Sequence, residues 1–236
     1  RDLAEAGVAG PVLVVGNNLG DLGAQASIVG PERLILGFGM IGGYRDGDAI
    51  VYLDGRSPDK PELASLGRTT VGVIDERAGP ALSQATGLLA GAGLPTTESP
   101  DIAAYLVYHA ALVFPLAASM YAAGGDQARY CRTRDAIVLG VRACKELFKA
   151  LGELGVSLQP ASLRPLVRAP EWLLAPLLAK RLAGESARVA MFGHAGAPGG
   201  REEIGGQAAL LDATVRRAGL PLPAWDRILP YMDREN

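Results

Sequence analysis

Cysteine and histidine are nearly missing from this chain of 236 residues, which has two of each. Cys131 and Cys144 are too few for a disulfide framework and lack the paired close spacing of a zinc site. A basic excess is missing too. Lys plus Arg total 23 against 25 for Asp plus Glu, which leaves nothing to neutralise a phosphate backbone, so no nucleic-acid partner is expected. No Gly-x-Ser-x-Gly elbow occurs, and with only His109 and His194 as bases a nucleophilic hydrolase is disfavoured. The start, Arg1-Asp2-Leu3-Ala4-Glu5, has neither Met nor a signal-peptide pattern. It reads as a chain cut into mid-domain, and the natural gene product is expected to be longer. The one long apolar run, Ile102 to Met120, is interrupted by Tyr105, Tyr108, His109, Pro115 and Ser119. That pattern fits a buried helix, and no membrane partner is expected.

What is present is a globular composition, 49% hydrophobic and 20% charged, enough for one large core or two smaller ones. The chain changes character near position 78. Before it come short β-branched runs closed by turn residues: Val12 to Val15 before Gly16-Asn17-Asn18, Leu34 to Leu36 before glycines, Ala49 to Leu53, and Thr69 to Ile74. The first two are expected to be buried strands. Beyond Gly79, Ala and Leu dominate, and helical spacing predicts helices over 80–92, 101–123, 133–154, 170–182, 202–217 and 225–232. Ser99 is the expected N-cap of the long central helix, with Pro100 in its first turn and Gly124-Gly125 as its stop. Gly193 to Gly200 reads as a glycine-rich loop. Two domains follow, 1–78 mostly sheet and 79–236 helical.

Gly37-Phe38-Gly39-Met40-Ile41-Gly42 matches the dinucleotide pattern G-x-G-x-x-G, with Asp54 further on where a ribose-binding acid would stand. The fingerprint works by opening a helix whose first amides meet the pyrophosphate. Tyr44-Arg45-Asp46-Gly47-Asp48 follows instead, leaving no room for a helix before the next strand. The glycines are read as a tight strand-to-strand connection.

Three stretches in order resemble the ketopantoate reductase family. Val14-Val15-Gly16-Asn17-Asn18-Leu19-Gly20 is similar to its strand-end Gln-Asn-Gly motif. Ala92-Gly93-Leu94-Pro95 with Ser99-Pro100-Asp101-Ile102 and the helix reaching Phe114-Pro115 is similar to the start of its helical domain. Arg201-Glu202-Glu203-Ile204-Gly205-Gly206, followed by Ala218-Gly219-Leu220-Pro221-Leu222-Pro223, is similar to its Arg-Thr-Glu-Ile-Asp segment and the later Gly-x-x-x-Pro. The resemblance spans residues 8 to 232. It implies an α/β plus all-α protein: the C-terminal part of a Rossmann-type nucleotide-binding domain, then a 6-phosphogluconate-dehydrogenase-like helical domain for substrate binding or dimerisation. It further implies a cytoplasmic NADPH- or NADH-dependent oxidoreductase acting on a small molecule, with a homodimer among its assemblies. The family's phosphate-binding Gly-rich turn has no counterpart here, and a sheet without its first strands has an exposed edge.

The same resemblance supplies site residues. Asn17, with Asn18 beside it, falls at the family's nicotinamide- and substrate-facing position, the carboxyl end of a parallel strand. Turn residues merely accepting the local dihedrals are the other reading. The family's Lys falls on Leu106 and two of its Asn on Ala110 and Phe114, so all three polar groups are apolar here. His109, one helical turn from Leu106, is the replacement acid the sequence offers. The competing reading is a structural His bonded to backbone or to Tyr108. Glu203 falls at the family's substrate-binding Glu, or is a helix-start carboxylate favoured by the dipole. The family's Ser falls on Ala190 or Met191, with His194 as the nearby polar substitute. Two functions stay open: a reductase of a 2-oxo acid or related small carbonyl compound other than ketopantoate, since the apolar replacements suit no hydroxylated substrate, and a non-catalytic helical binding or dimerisation module.

Overall fold

The computed structural model describes residues 5–7, 9–39, 42–53, 68–196 and 200–233, and of Ala190, Phe192 and His194 the backbone alone. Asp54, Met40 and Ile41 lie outside the described residues.

The chain divides into two compact units, residues 1–41 with 54–106, and residues 42–53 with 107–236. The division falls at 106/107 and not at 78, because the helices that follow the last long strand cover the sheet and belong with it.

The first unit contains β1 (Val12–Val15), α1 (Leu22–Val29), β2 (Leu34–Gly39), β5 (Thr69–Gly72), α2 (Gly79–Gly91) and β6 (Thr96–Glu98). The sheet order is β1-β2-β5-β6. β1 is parallel to β2 with Val15 opposite Gly37, β2 is antiparallel to β5, and β5 is parallel to β6. Two short parallel crossovers therefore flank one antiparallel pairing. β2 is apolar on both faces because it is covered on both. Leu34 and Leu36 pack with Ala26, Ile102, Tyr105 and Leu106, while Ile35 packs with Val71 and Ala85. Of the two strands expected to be buried, only β2 is. β1 is an edge strand, half-buried, with Val15 53% exposed.

Gly72 fixes how closely α3 (Ile102–Ala122) approaches: a Cβ there would stand 2.7 Å from the Ile102 Cβ and 3.0 Å from the Ser99 carbonyl oxygen. The N-cap of α3 is Asp101, whose Oδ1 accepts from the Ala104 N–H at 2.9 Å. Ser99 does not cap. Its backbone N–H extends the sheet edge to the Val71 carbonyl at 2.8 Å, which places it before the helix.

The second unit holds the hairpin β3 (Gly43–Asp46) and β4 (Ala49–Tyr52), residues 107–122 of α3, α4 (Gln127–Arg132), α5 (Arg134–Glu153), α6 (Arg164–Arg168), α7 (Glu171–Leu182), a helical stretch over 185–195, α8 (Gly200–Arg216) and α9 (Pro223–Ile228). The expected long helices are present within one or two residues of their predicted bounds. α3 has the length and apolarity of a membrane span, but 72% of its apolar window is buried in the fold. α5 buries Ile137, Val141, Cys144, Leu147, Phe148 and Leu151 along one stripe. Gly140 on that stripe leaves space for Ser119 of α3, whose Oγ shares a 2.7 Å hydrogen bond with the Tyr130 hydroxyl. α9 is capped from outside itself: the Glu146 carboxylate accepts from the Ala224 and Trp225 N–H groups at 3.0 Å, answering amides that no helical carbonyl reaches.

The glycine-rich loop expected over 193–200 is helical where it begins. Residues 188–192 form a π-type turn that continues into Gly193–Ala195; residues 197–199 lie outside the described residues. Gly193 is required by packing, since a Cβ there would collide with the ring of Tyr44 on the hairpin. The Arg188 Nη1 donates to the Tyr44 hydroxyl at 3.1 Å on the same side.

Candidate functional site

The glycines at 37, 39 and 42 behave as read from the sequence. Gly37 and Gly39 lie within β2 and Gly42 leads into β3, so no helix opens there. Gly37 is needed where a Cβ would meet the Thr70 carbonyl oxygen at 3.1 Å and Leu13 at 3.2 Å.

In the first unit the turn after β1 is held by a reciprocal amide pair. The Asn18 Nδ2 donates to the Gln25 Oε1 at 2.7 Å, and the Gln25 Nε2 donates to the Asn18 Oδ1 at 2.8 Å. Asn18 is thus committed to α1 and acts by shaping the turn. Asp21 caps α1 through the Ala24 N–H at 2.9 Å, which puts a carboxylate where an anion would otherwise sit. Within this turn Asn17 is the exception: its Oδ1 is buried and has no hydrogen-bond partner. An unsatisfied buried acceptor costs about 1–3 kcal/mol and would be relieved by a ligand N–H or O–H.

We expect Gln25→Ala to lower the stability of the chain by about 1 kcal/mol, the net worth of two partly exposed amide hydrogen bonds, read as a shifted urea midpoint. No change would mean that the turn holds its shape without the pair.

In the second unit, His109 is partly buried in α3, and loss of solvent pushes its pKa down to about 4. It is a neutral imidazole at pH 7, not the near-neutral donor expected from the sequence. The Tyr108 hydroxyl donates to the Val156 carbonyl at 3.0 Å. Leu106, Ala110 and Phe114 are 2%, 0% and 0% exposed, so these positions are packed core and present no apolar wall to solvent.

Glu203 is exposed in the first turn of α8. Its neighbour Arg201, which the sequence offers only as part of the family-like segment and with no role, organises this end of the unit. The guanidinium lies over the Tyr121 ring, 4.5 Å from its centroid, and donates to the Tyr231 carbonyl, while its Nε is buried without a hydrogen-bond partner. The Tyr121 hydroxyl donates to the Ala195 carbonyl at 2.7 Å, and burial raises its pKa to about 12 despite the opposing pull of Arg201. Tyr121 therefore ties the residue after His194 and the residue two before Glu203 to the C-terminal end of α3. His109 stands twelve residues earlier on α3, roughly 18 Å along its axis. The structure brings together the surroundings of His194 and Glu203 by this contact, which does not include His109. Among the described residues no cluster of three or more His, Cys, Asp or Glu side chains is arranged to hold a metal.

A sheet unit with two parallel crossovers and helices on both faces, followed by a helical unit built on a long apolar helix, has the Rossmann-type fold with a helical C-terminal domain that its solved structural neighbours share. Within it the chain has the ketopantoate reductase-like fold. It is similar to D-mandelate dehydrogenase solved with NADH and anilino(oxo)acetate, at a TM-score of 0.64 and 13% identity over 94% of this chain and 66% of that one. It is similar also to a protein from Ralstonia solanacearum MolK2 assigned as a ketopantoate reductase, at a TM-score of 0.61 and 15% identity over 89% of this chain and 57% of that one. The chain thus spans less than two thirds of the length of either protein. No family model and no curated protein matches the sequence, and at these identities the likeness is one of fold.

Proposed function

We propose that this chain is part of a nicotinamide-dependent oxidoreductase that reduces a 2-oxo acid or related small carbonyl compound other than ketopantoate. One observation carries the reading: the buried, unpartnered Oδ1 of Asn17 at the carboxyl end of β1, where open α/β sheets take their ligands. NADPH or NADH would supply the hydride to the carbonyl carbon. Asn17 would accept from the carboxamide or a ribose hydroxyl and so orient the cofactor. Within the second unit Glu203 and His194 are the groups offered to a substrate, and the Tyr121 contact brings their surroundings together, while His109 lies outside that contact. A proton-donor role for His109, neutral in the folded chain, would require an anionic ligand beside it whose carboxylate raises its pKa on binding. Asn18 contributes through the amide pair with Gln25.

A second reading has its own support: a non-catalytic helical module that kept the fold. Leu106, Ala110 and Phe114 are sealed in the core, where a polar site would be open.

Calorimetric titration with NADPH and with NADH, of this chain and of a version extended upstream, tests both. On the proposed function the extended version binds one of the two, and Asn17→Ala weakens binding by about tenfold, the loss of one hydrogen bond. Absence of binding by either version would leave the non-catalytic module.

A further inference from the structure

α7 packs on α5, burying Ala175 and Leu182, and turns large apolar side chains outward. Trp172 is 68% exposed, Leu177 60% and Leu173 42%, with Pro176 exposed among them, and Val167 of α6 is 44% exposed. Cations bracket this patch at both ends: Arg164 and Arg168 before it, Lys180 and Arg181 one turn beyond Pro176, all four exposed. Beside it, a groove of 380 Å³ between α7 and α4 has Arg132 and Lys180 as its charged lining residues.

Acids are few on this side and already engaged. Residues 164–182 contain four cations and one acid, in a chain whose formal net charge is −2. That acid, Glu171, pairs with Arg142 at 2.8 Å, and Glu185 beyond the helix pairs with Arg188 at 4.0 Å. Asp126, near the groove, caps α4 through the Arg129 N–H at 2.6 Å. Among the described residues none of Arg132, Arg164, Arg168, Lys180 and Arg181 has an ion-pair partner.

We infer that this face docks on an anionic lipid surface, with α7 lying in the plane of the headgroups. An amphipathic helix does so when its apolar side chains reach below the headgroups and the cations around them meet lipid phosphate and carboxylate. Trp172 is the residue type that favours this boundary, its ring apolar and its N–H polar. Lys180 falls in the middle of the exposed arc, where its stem can lie over Pro176 while the ammonium reaches the headgroups. Composition selects lipid over an acidic protein. Residues 164–182 include no Ser, Thr, Asn, Gln, Tyr or His, so apart from the Trp172 indole the face has no uncharged side chain to hydrogen-bond a fixed partner. A protein interface of standard size makes about ten direct hydrogen bonds. A fluid surface, whose headgroups move to meet each cation, needs none in fixed geometry. The contact lies on the bilayer and does not span it: the expectation of no membrane partner rested on the apolar run of α3, which is mostly buried in the fold. This inference stands apart from the proposed reductase function.

Pelleting of the whole chain with vesicles decides it, phosphatidylcholine alone against phosphatidylcholine mixed with phosphatidylserine. Binding is expected to the mixed vesicles only, and to fall steeply as salt rises from ~0.1 to ~1 M and screening shortens from ~10 to ~3 Å. Replacing both Lys180→Gln and Arg181→Gln should weaken it about 30-fold, a factor of about five for each cation. Trp172→Ala should weaken it about tenfold, with an unchanged circular dichroism spectrum to show that the variant folds. The chain has two tryptophans, and Trp225 is 0% exposed. A blue shift of emission on adding mixed vesicles, absent in Trp172→Ala, therefore reads entry of the Trp172 ring into the bilayer. Equal binding to both kinds of vesicle, pelleting without the blue shift, or no pelleting while poly-glutamate or self-association buries Trp172, would each overturn the proposal.

Discussion

Trp225→Ala is expected to lower the stability of the helical unit by about 3–5 kcal/mol, a large part of the 5–15 kcal/mol that holds a typical domain together. Trp225 is 0% exposed. Truncation removes the transfer free energy of the indole and leaves a cavity that α5 and α9 can fill only by shifting together. It also removes the Nε1–H that donates to Asp212 at 2.9 Å, although Asp212 keeps its 2.9 Å contact with Arg216. The Glu146 cap acts on backbone amides and survives, so the loss reads the side chain and not the helix end. Urea unfolding measures it. Trp172→Ala is the internal control: the same residue type, 68% exposed, should change the stability of the monomer by no more than about 0.5 kcal/mol. Equal effects at the two positions would contradict the burial pattern.

The same contrast explains what the sequence could and could not reveal. α5 was legible because its apolar residues repeat at helical spacing over five turns. β2 was legible because a continuous apolar run bounded by glycines suits a strand covered on both faces. β1 looks much like β2 in sequence, but its exposure follows from being at the sheet edge, which is a fact of topology. α1, α4 and α6 are five to eight residues long and carry too few turns for periodicity to register. Gly193 suggested a loop because glycine usually marks one. Its reason is the ring of Tyr44, a contact between distant parts of the chain that no local pattern encodes. The place of Asn17 after a strand was legible in the sequence, whereas its buried, unpartnered Oδ1, the Asn18 and Gln25 pair and the Arg201 stack on Tyr121 need the folded chain. Burial of Leu106, Ala110 and Phe114 also followed from tertiary packing: the apolar substitutions were visible, but not that they close the position altogether.

His109 supplies the second large effect. Its pKa is about 4 in the folded chain because burial disfavours the imidazolium, against about 6.5 when the chain is unfolded. Between those values the unfolded chain binds a proton that the folded chain refuses. Stability therefore rises with pH across this window and is lost as pH falls from about 6.5 toward 4. The full shift corresponds to on the order of 3 kcal/mol. Carboxylates also titrate in this range, so the measurement is a difference: unfolding free energies at pH 7 and pH 4.5 for the native chain and for His109→Gln, which cannot take up the proton. The native chain is expected to lose about 2 kcal/mol more than the variant over that interval. Parallel losses would show that His109 remains solvated. A carboxylate ligand that makes the imidazolium favourable should shrink the difference, because it raises the folded-state pKa toward the unfolded one. A 2-oxo acid that at pH 4.5 stabilises the native chain more than His109→Gln would place its carboxylate beside His109, which is the condition for that imidazole to donate a proton.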